Sequence, residues 1–184
     1  MKSLKESIFD DIEDIVNSDS ELIEQFINDN YKIDGSYTIK DGVVDVKGTI
    51  RLTNRNAEFL TNGAFQFGTV SGGVSYFKCR KLKSLLGSPK KVEKGFYCYS
   101  CPNLASIKGA PKKVGGVFDC QDCESLTSLE GAPKEVGTDF WCAGCPKLTS
   151  LEGAPKKVGG DFYCRNCVNL RLTDEDRQKY KIRN

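Results

Sequence analysis

Nine cysteines in a chain without histidine are the residues whose type and spacing point most directly at chemistry. Eight form C-x-x-C pairs at an interval of 22 residues: Cys98 and Cys101, Cys120 and Cys123, Cys142 and Cys145, Cys164 and Cys167. This spacing serves zinc sites and thiol redox centres. Zinc needs four ligands converging on one point, whereas successive pairs stand a whole repeat apart, about 5 Å if repeats stack as strands. Two neighbouring pairs could still reach one ion, so zinc remains a competing reading. A redox pair draws its low thiol pKa from a helix N-terminus, and no helix is predicted there. The odd cysteine count and a start, MKSLKESIFDDIEDIV, too acidic for a secretion signal disfavour disulfides. What remains is buried thiols packed as small apolar side chains in two ladders, with no metal and no cofactor.

The elements that must hold such ladders follow from the same period. Read from Val114, one unit is V-x-x-x-F-x-C-x-x-C-x-x-L-x-x-L-x-G-A-P-x-x-V. Phe118 and Cys120 are alternate residues, so on a strand they share the inward face. Each unit alone would leave its apolar column bare, and stacking supplies the core. The pattern predicts a mainly β, leucine-rich-repeat-like solenoid with short parallel strands. Gly-Ala-Pro breaks regular structure, which predicts a return segment made of a tight loop or 3₁₀ turn. Cys79-Arg80-Lys81-Leu82 reads as an earlier unit shortened by three residues. Val46, Ile50 and Leu52 read as a degenerate first rung.

The organisation expected from this is an acidic helical segment over 1–30, a hairpin and first rung over 31–73, the array over 74–172 and a cap over 173–184. Residues 1–30 carry nine acids against Lys2 and Lys5, so an acidic head precedes a basic body. Leu4, Ile8, Ile12 and Ile15 give one apolar helical stripe, and Leu22, Ile23, Phe26 and Ile27 a second. Asp41-Gly42 between Ser36–Lys40 and Val43–Val46 predicts a hairpin that shields the first sheet edge. Thr173 with Asp176 predicts a last helical turn. No apolar run reaches membrane-span length, and the expected location is a cytoplasm.

The unit S-L-E-G-A-P-K-E/K-V-G-G-D-F-x-C, standing at Ser128–Cys142 and Ser150–Cys164, resembles the repeat of leucine-rich-repeat-like proteins encoded by tailed bacteriophages. Tyr37-Thr38-Ile39, Val44–Gly48 and Phe67–Gly72 resemble the segment that introduces such arrays. The likeness runs from about 36 to 172, with departures at Thr138, Lys108 and the unit at Cys79. It implies a solenoid, a phage origin and the cytoplasm of an infected bacterium, and it brings no activity with it.

Two rows of residues could meet a partner. Beside the first cysteine of each unit stand Lys78, Tyr97, Asp119, Trp141 and Tyr163 on one side, and Arg80, Tyr99, Gln121, Ala143 and Arg165 on the other. Aromatic residues and arginine dominate binding hot spots, so Tyr97, Tyr99, Trp141, Tyr163, Arg165, Lys78 and Arg80 are the expected contact residues. The competing reading is cross-strand packing that only stabilises the sheet. The second row, Lys90, Lys91, Lys112, Lys113, Lys134, Lys156 and Lys157, repeats in the return segments. It suits an anion such as nucleic acid, or simple solubility. With no histidine and no phosphate-cradling glycine motif, catalysis is not expected. The expected function is non-catalytic binding of a protein, such as a host defence component that the protein inhibits; nucleic-acid binding through the lysines is the alternative.

Overall fold

The structure, a computed structural model, describes residues 20–54, 57, 58, 60 and 65–183. The first expected helix lies outside the described residues. Residues 20–30 form helix α1, followed by β1 (Tyr31–Lys40) and β2 (Val43–Leu52), which pair antiparallel over their whole length. Asp41 and Gly42 have φ of 49° and 68°, the left-handed pair that a two-residue hairpin requires. The hairpin is therefore present, and each strand extends beyond the expected stretch.

After it the chain winds through β3 (Gln66–Val70), β4 (Val74–Ser75), β5 (Lys91–Val92), β6 (Phe96–Tyr97), β7 (Lys113–Val114) and β8 (Phe118–Asp119). It continues through β9 (Glu135–Val136), β10 (Phe140–Trp141), β11 (Lys157–Val158) and β12 (Phe162–Tyr163), then α2 (Asp174–Lys179) and β13 (Ile182–Arg183). The result is a parallel β-solenoid of about six turns with 22-residue spacing. Two columns of parallel strands run along it, β3-β5-β7-β9-β11 and β4-β6-β8-β10-β12-β13. Both start on β2, whose first half pairs with β3 and whose second half pairs with β4. Because β1 covers the other edge of β2, the hairpin closes both columns at once.

The return segment is a tight turn, as expected, followed by a strand that the sequence did not announce. Leu-x-Gly-Ala forms a type II turn: Ala132 N donates to Leu129 O at 3.0 Å, and Gly131 sits at φ 90°, the left-handed place such a turn reserves for glycine. Proline then releases the chain into the column of β3, β5, β7, β9 and β11, so Lys91, Lys113 and Lys157 lie on strands.

The unit at Cys79 is corrected as well. Val74 pairs with Phe96 and Ser75 with Tyr97, so Tyr76 stands where later turns have their first cysteine. The Cys79 amide donates to Cys101 Sγ at 3.3 Å, which makes Cys79 the second cysteine of a full-length turn. Backbone conformation agrees: Lys78, Ser100, Asp122, Gly144 and Asn166 all have φ between 54° and 66°. Local alignment on cysteine identity missed this because tyrosine fills the larger space beside the N-terminal cap.

The interior is a set of ladders, each side chain meeting its own kind one turn away. Phe96, Phe118, Phe140 and Phe162 stack with centroids 5.3, 5.3 and 4.9 Å apart. Tyr76 closes the stack edge-on at one end and Tyr180 lies on Phe162 at the other. All nine cysteines are buried thiols. They do more than fill space: Cys123, Cys145 and Cys167 each donate Sγ–H to the carbonyl of the first cysteine one turn back, at 3.4, 3.4 and 3.0 Å. Among the described residues no group of three or more metal-binding side chains converges.

Both ends are covered. Ile23 and Ile27 of α1 join the same core, and Phe26 meets Phe65 edge-on at 5.8 Å, so α1 packs on the array it precedes. At the other end α2 starts with the expected capping box between Thr173 and Asp176. Strand β13, which the sequence did not announce, pairs with β12. Tyr180 is buried there and donates its hydroxyl to Pro155 O at 2.7 Å.

Burial pushes Cys123 up to about 12 and Cys164 to about 11, and Cys98 and Cys120 well above the ordinary value. An unfolded chain ionises its cysteines near pH 8.5, so for these four thiols folded and unfolded states hold equal protons below that pH. Above it the unfolded state loses protons first, and stability falls until the folded values are reached. Under reducing conditions stability should fall by about 1 kcal/mol for each of these thiols between pH 7.5 and pH 9.5, read as a clear drop in melting temperature. A melting temperature unchanged over that interval would mean that the thiols are solvated.

Candidate functional site

Alternation along the second strand column decides what faces out. Phe118 and Cys120 are completely buried, so the residue between them projects to the other side. The register aligns Ser75, Tyr97, Asp119, Trp141, Tyr163 and Arg183 in one outward row. Tyr97, Trp141 and Tyr163 are thus brought into one line, as the sequence predicts. Trp141 and Tyr163 stack with centroids 4.0 Å apart and planes inclined by 18°. Tyr97 lies apart from them, over Gly95, where a Cβ would fall 2.6 Å from its ring atoms.

The neighbouring row holds Tyr99 and Arg165, with Phe77 at its start. Phe77 and Tyr99 pack at 4.7 Å. Lys78 and Arg80 do not belong to either row. The corrected register puts Lys78 in the left-handed turn column with Ser100 and Asp122, and Arg80 level with Pro102 and Glu124. Both line an open groove of about 330 Å³ with those residues. They flank the aromatic rows and are not part of them. The residues that alignment on Cys79 misplaced are Ser75 and Phe77, and the internal 22-residue period counted back from Cys98 would have found them.

Asp119 is the odd member of the row. It occupies the turn between Tyr97 and Trp141, and only 8% of it is exposed. Its Oδ1 accepts the Gln121 backbone N–H at 3.0 Å. No basic side chain among the described residues comes within ion-pair distance of it. Burial, and then the charge of Asp122, push its carboxyl up to about 6 against the hydrogen bond from Gln121. Asp139 and Asp161 occupy the adjoining row, where Asp139 accepts the Asp161 N–H at 2.8 Å and Asp161 pairs with Arg183 at 3.0 Å. The aromatic face is therefore also acidic along its middle turns.

The lysines lie on the other strand column and divide into two rows. Lys113 pairs with Glu135 at 2.9 Å and Lys91 with Glu93 at 3.1 Å. Lys90, Lys112, Lys134 and Lys156 are held in register by successive N–H to C=O bonds of 2.9 to 3.0 Å. None of these four has a carboxylate partner among the described residues. Among the described residues no helix is long and apolar enough to cross a membrane. Comparison of the chain with protein-family models, with curated proteins and with solved structures returned no match.

A carboxylate that titrates near 6 when folded, and near 3.9 when unfolded, costs stability at neutral pH. Below pH 4 both states are protonated and nothing is lost; the penalty grows as pH rises from 4 to 6 and is complete above. Asp119→Asn should therefore raise stability by about 1–3 kcal/mol at pH 7.5 and leave it unchanged near pH 3.5. Urea titrations at the two pH values measure this. Destabilisation at pH 7.5 would mean that the carboxylate holds the fold together.

Proposed function

We propose that the protein is a non-catalytic binding module that holds a protein partner on the aromatic face of its second strand column. The observation that carries this reading is the Trp141 and Tyr163 pair, stacked at 4.0 Å on the outward row. Stacked rings of this kind bury large areas at small entropic cost. The resemblance of the repeat to tailed-phage proteins supports a host protein as partner, such as a component of antiviral defence that the module blocks. A cytoplasmic setting in an infected bacterium belongs to the same proposal.

A second reading is favoured by the row Lys90, Lys112, Lys134 and Lys156, four like charges one turn apart with no acid beside them. Such a row fits a linear polyanion, including nucleic acid. Binding there would fall with salt, with a log–log slope of about −3 for four single-strand phosphates neutralised and their counterions released.

The test is a quantitative capture experiment with the full chain and its variants. Trp141→Ala should cost the partner about 2 kcal/mol or more and change the fold little, whereas Phe140→Ala, which removes a ring from the buried stack, should cost the fold about 3–5 kcal/mol. Charge reversal at Lys112 and Lys156 should leave that partner bound. A partner that ignores Trp141→Ala and Tyr163→Ala but is lost on lysine reversal or added salt would move the function to the lysine column.

A further inference from the structure

The row that carries Tyr97, Trp141 and Tyr163 breaks its own pattern once, at Asp119, and the break runs against stability. The neighbouring turns show that an aromatic side chain fits the outward position of this strand. A carboxylate there is almost enclosed, with 8% exposure, and receives one backbone N–H from Gln121. Among the described residues no basic side chain lies within ion-pair distance of it, and the charge of Asp122, of the same sign, acts on it. Buried carboxylates are normally matched by a cation or several donors. The match that the described chain does not supply is left for something else to bring.

The surroundings specify what that would be. The strands on either side, β6 and β10, are each about 4.8 Å away, and both carry an aromatic residue at this level, Tyr97 and Trp141. A planar cation could lie against a ring face while bonding to the carboxylate. Guanidinium does both, through stacking and through paired N–H donors, and is more weakly hydrated than ammonium. The acids further along, Asp122 and Asp139, give the approach the same sign.

We infer that Asp119, with Tyr97 one turn before it and Trp141 one turn after it on the outward row, is the seat of an arginine side chain of the protein partner held on the aromatic face. This rests on the protein-binding reading above and narrows it: the partner presents a basic segment, with one arginine entering at the turn of Asp119. The stacked Trp141 and Tyr163 then cover the residues next to it.

The chain has a single tryptophan, Trp141, so its fluorescence reports directly on this seat. The probe is an acetylated, amidated hexa-arginine peptide at low ionic strength, with hexa-glutamate as comparison. The expected result is a saturable change in tryptophan emission with hexa-arginine and none with hexa-glutamate. Asp119→Asn should weaken the arginine peptide at least tenfold while the melting temperature stays the same or rises. Glu124→Gln, removing an exposed acid two residues from Asp122, should change it less than twofold. Equal binding by the wild type and Asp119→Asn overturns the inference, and so does the absence of a saturable change in the wild type. The two readings fail separately. If the captured partner is lost on Trp141→Ala but kept on Asp119→Asn, the aromatic face stands and the arginine seat falls. If hexa-arginine depends on Asp119 while the captured partner ignores Trp141→Ala, the seat stands and the face does not hold that partner.

Discussion

In-register parallel pairing between successive turns is the constraint on which everything else in this protein depends. Each turn gives its backbone N–H and C=O groups to the turns above and below, as in Phe96 N to Val117 O and Phe118 N to Asp139 O. With a constant 22-residue period, a side chain is carried onto the equivalent side chain of the next turn, about 4.8 Å away. Inside, this is favourable: rings stack on rings and thiols on thiols, and the inward positions of each turn become continuous columns. The turn chemistry serves the same end. Glycine in the left-handed place before Ala-Pro, as at Gly109, Gly131 and Gly153, lets every turn reverse at the same residue.

Outside, the same constraint is indifferent to what it aligns. Lys90, Lys112, Lys134 and Lys156 are brought together although like charges repel, and Trp141 is laid on Tyr163 although neither is needed to close the core. Residues that interrupt these rows therefore carry more information than residues that continue them. Glu135 breaks the first lysine row and pairs with Lys113, which relieves repulsion and needs no other explanation. Asp119 breaks the aromatic row and, among the described residues, gains no cation, only the Gln121 N–H.

Much of this was legible in the sequence because repetition is itself a structural statement. The period, the inward Phe and Cys positions, the hairpin at Asp41-Gly42 and the capping box at Thr173 could be read from residue types and spacing. The first full turn could not be read by matching cysteines, since Tyr76 replaces one and packs against Tyr31 of the hairpin. The strand column that carries the lysines was hidden because a two-residue strand such as Lys113–Val114 has no alternation to detect, and the proline before it suggests a loop. Strand β13 was equally silent: Ile182 and Arg183 join the sheet only because β12 offers an open edge. The burial of Asp119 depends on which neighbours flank it, and that emerges only once the turns are stacked.

The register of the first full turn is the point at which the stacking account is most exposed. Couplings across hydrogen bonds, from amide nitrogen to carbonyl carbon, read it directly by nuclear magnetic resonance. The Tyr97 carbonyl should couple to the Tyr76 amide, whose N···O distance is 2.7 Å, in the same pattern that joins Cys98 to Asp119 and Cys120 to Trp141. A Tyr97 carbonyl coupled instead to the Cys79 amide would mean that the unit is three residues short after all, and the in-register ladder would not reach the N-terminal cap.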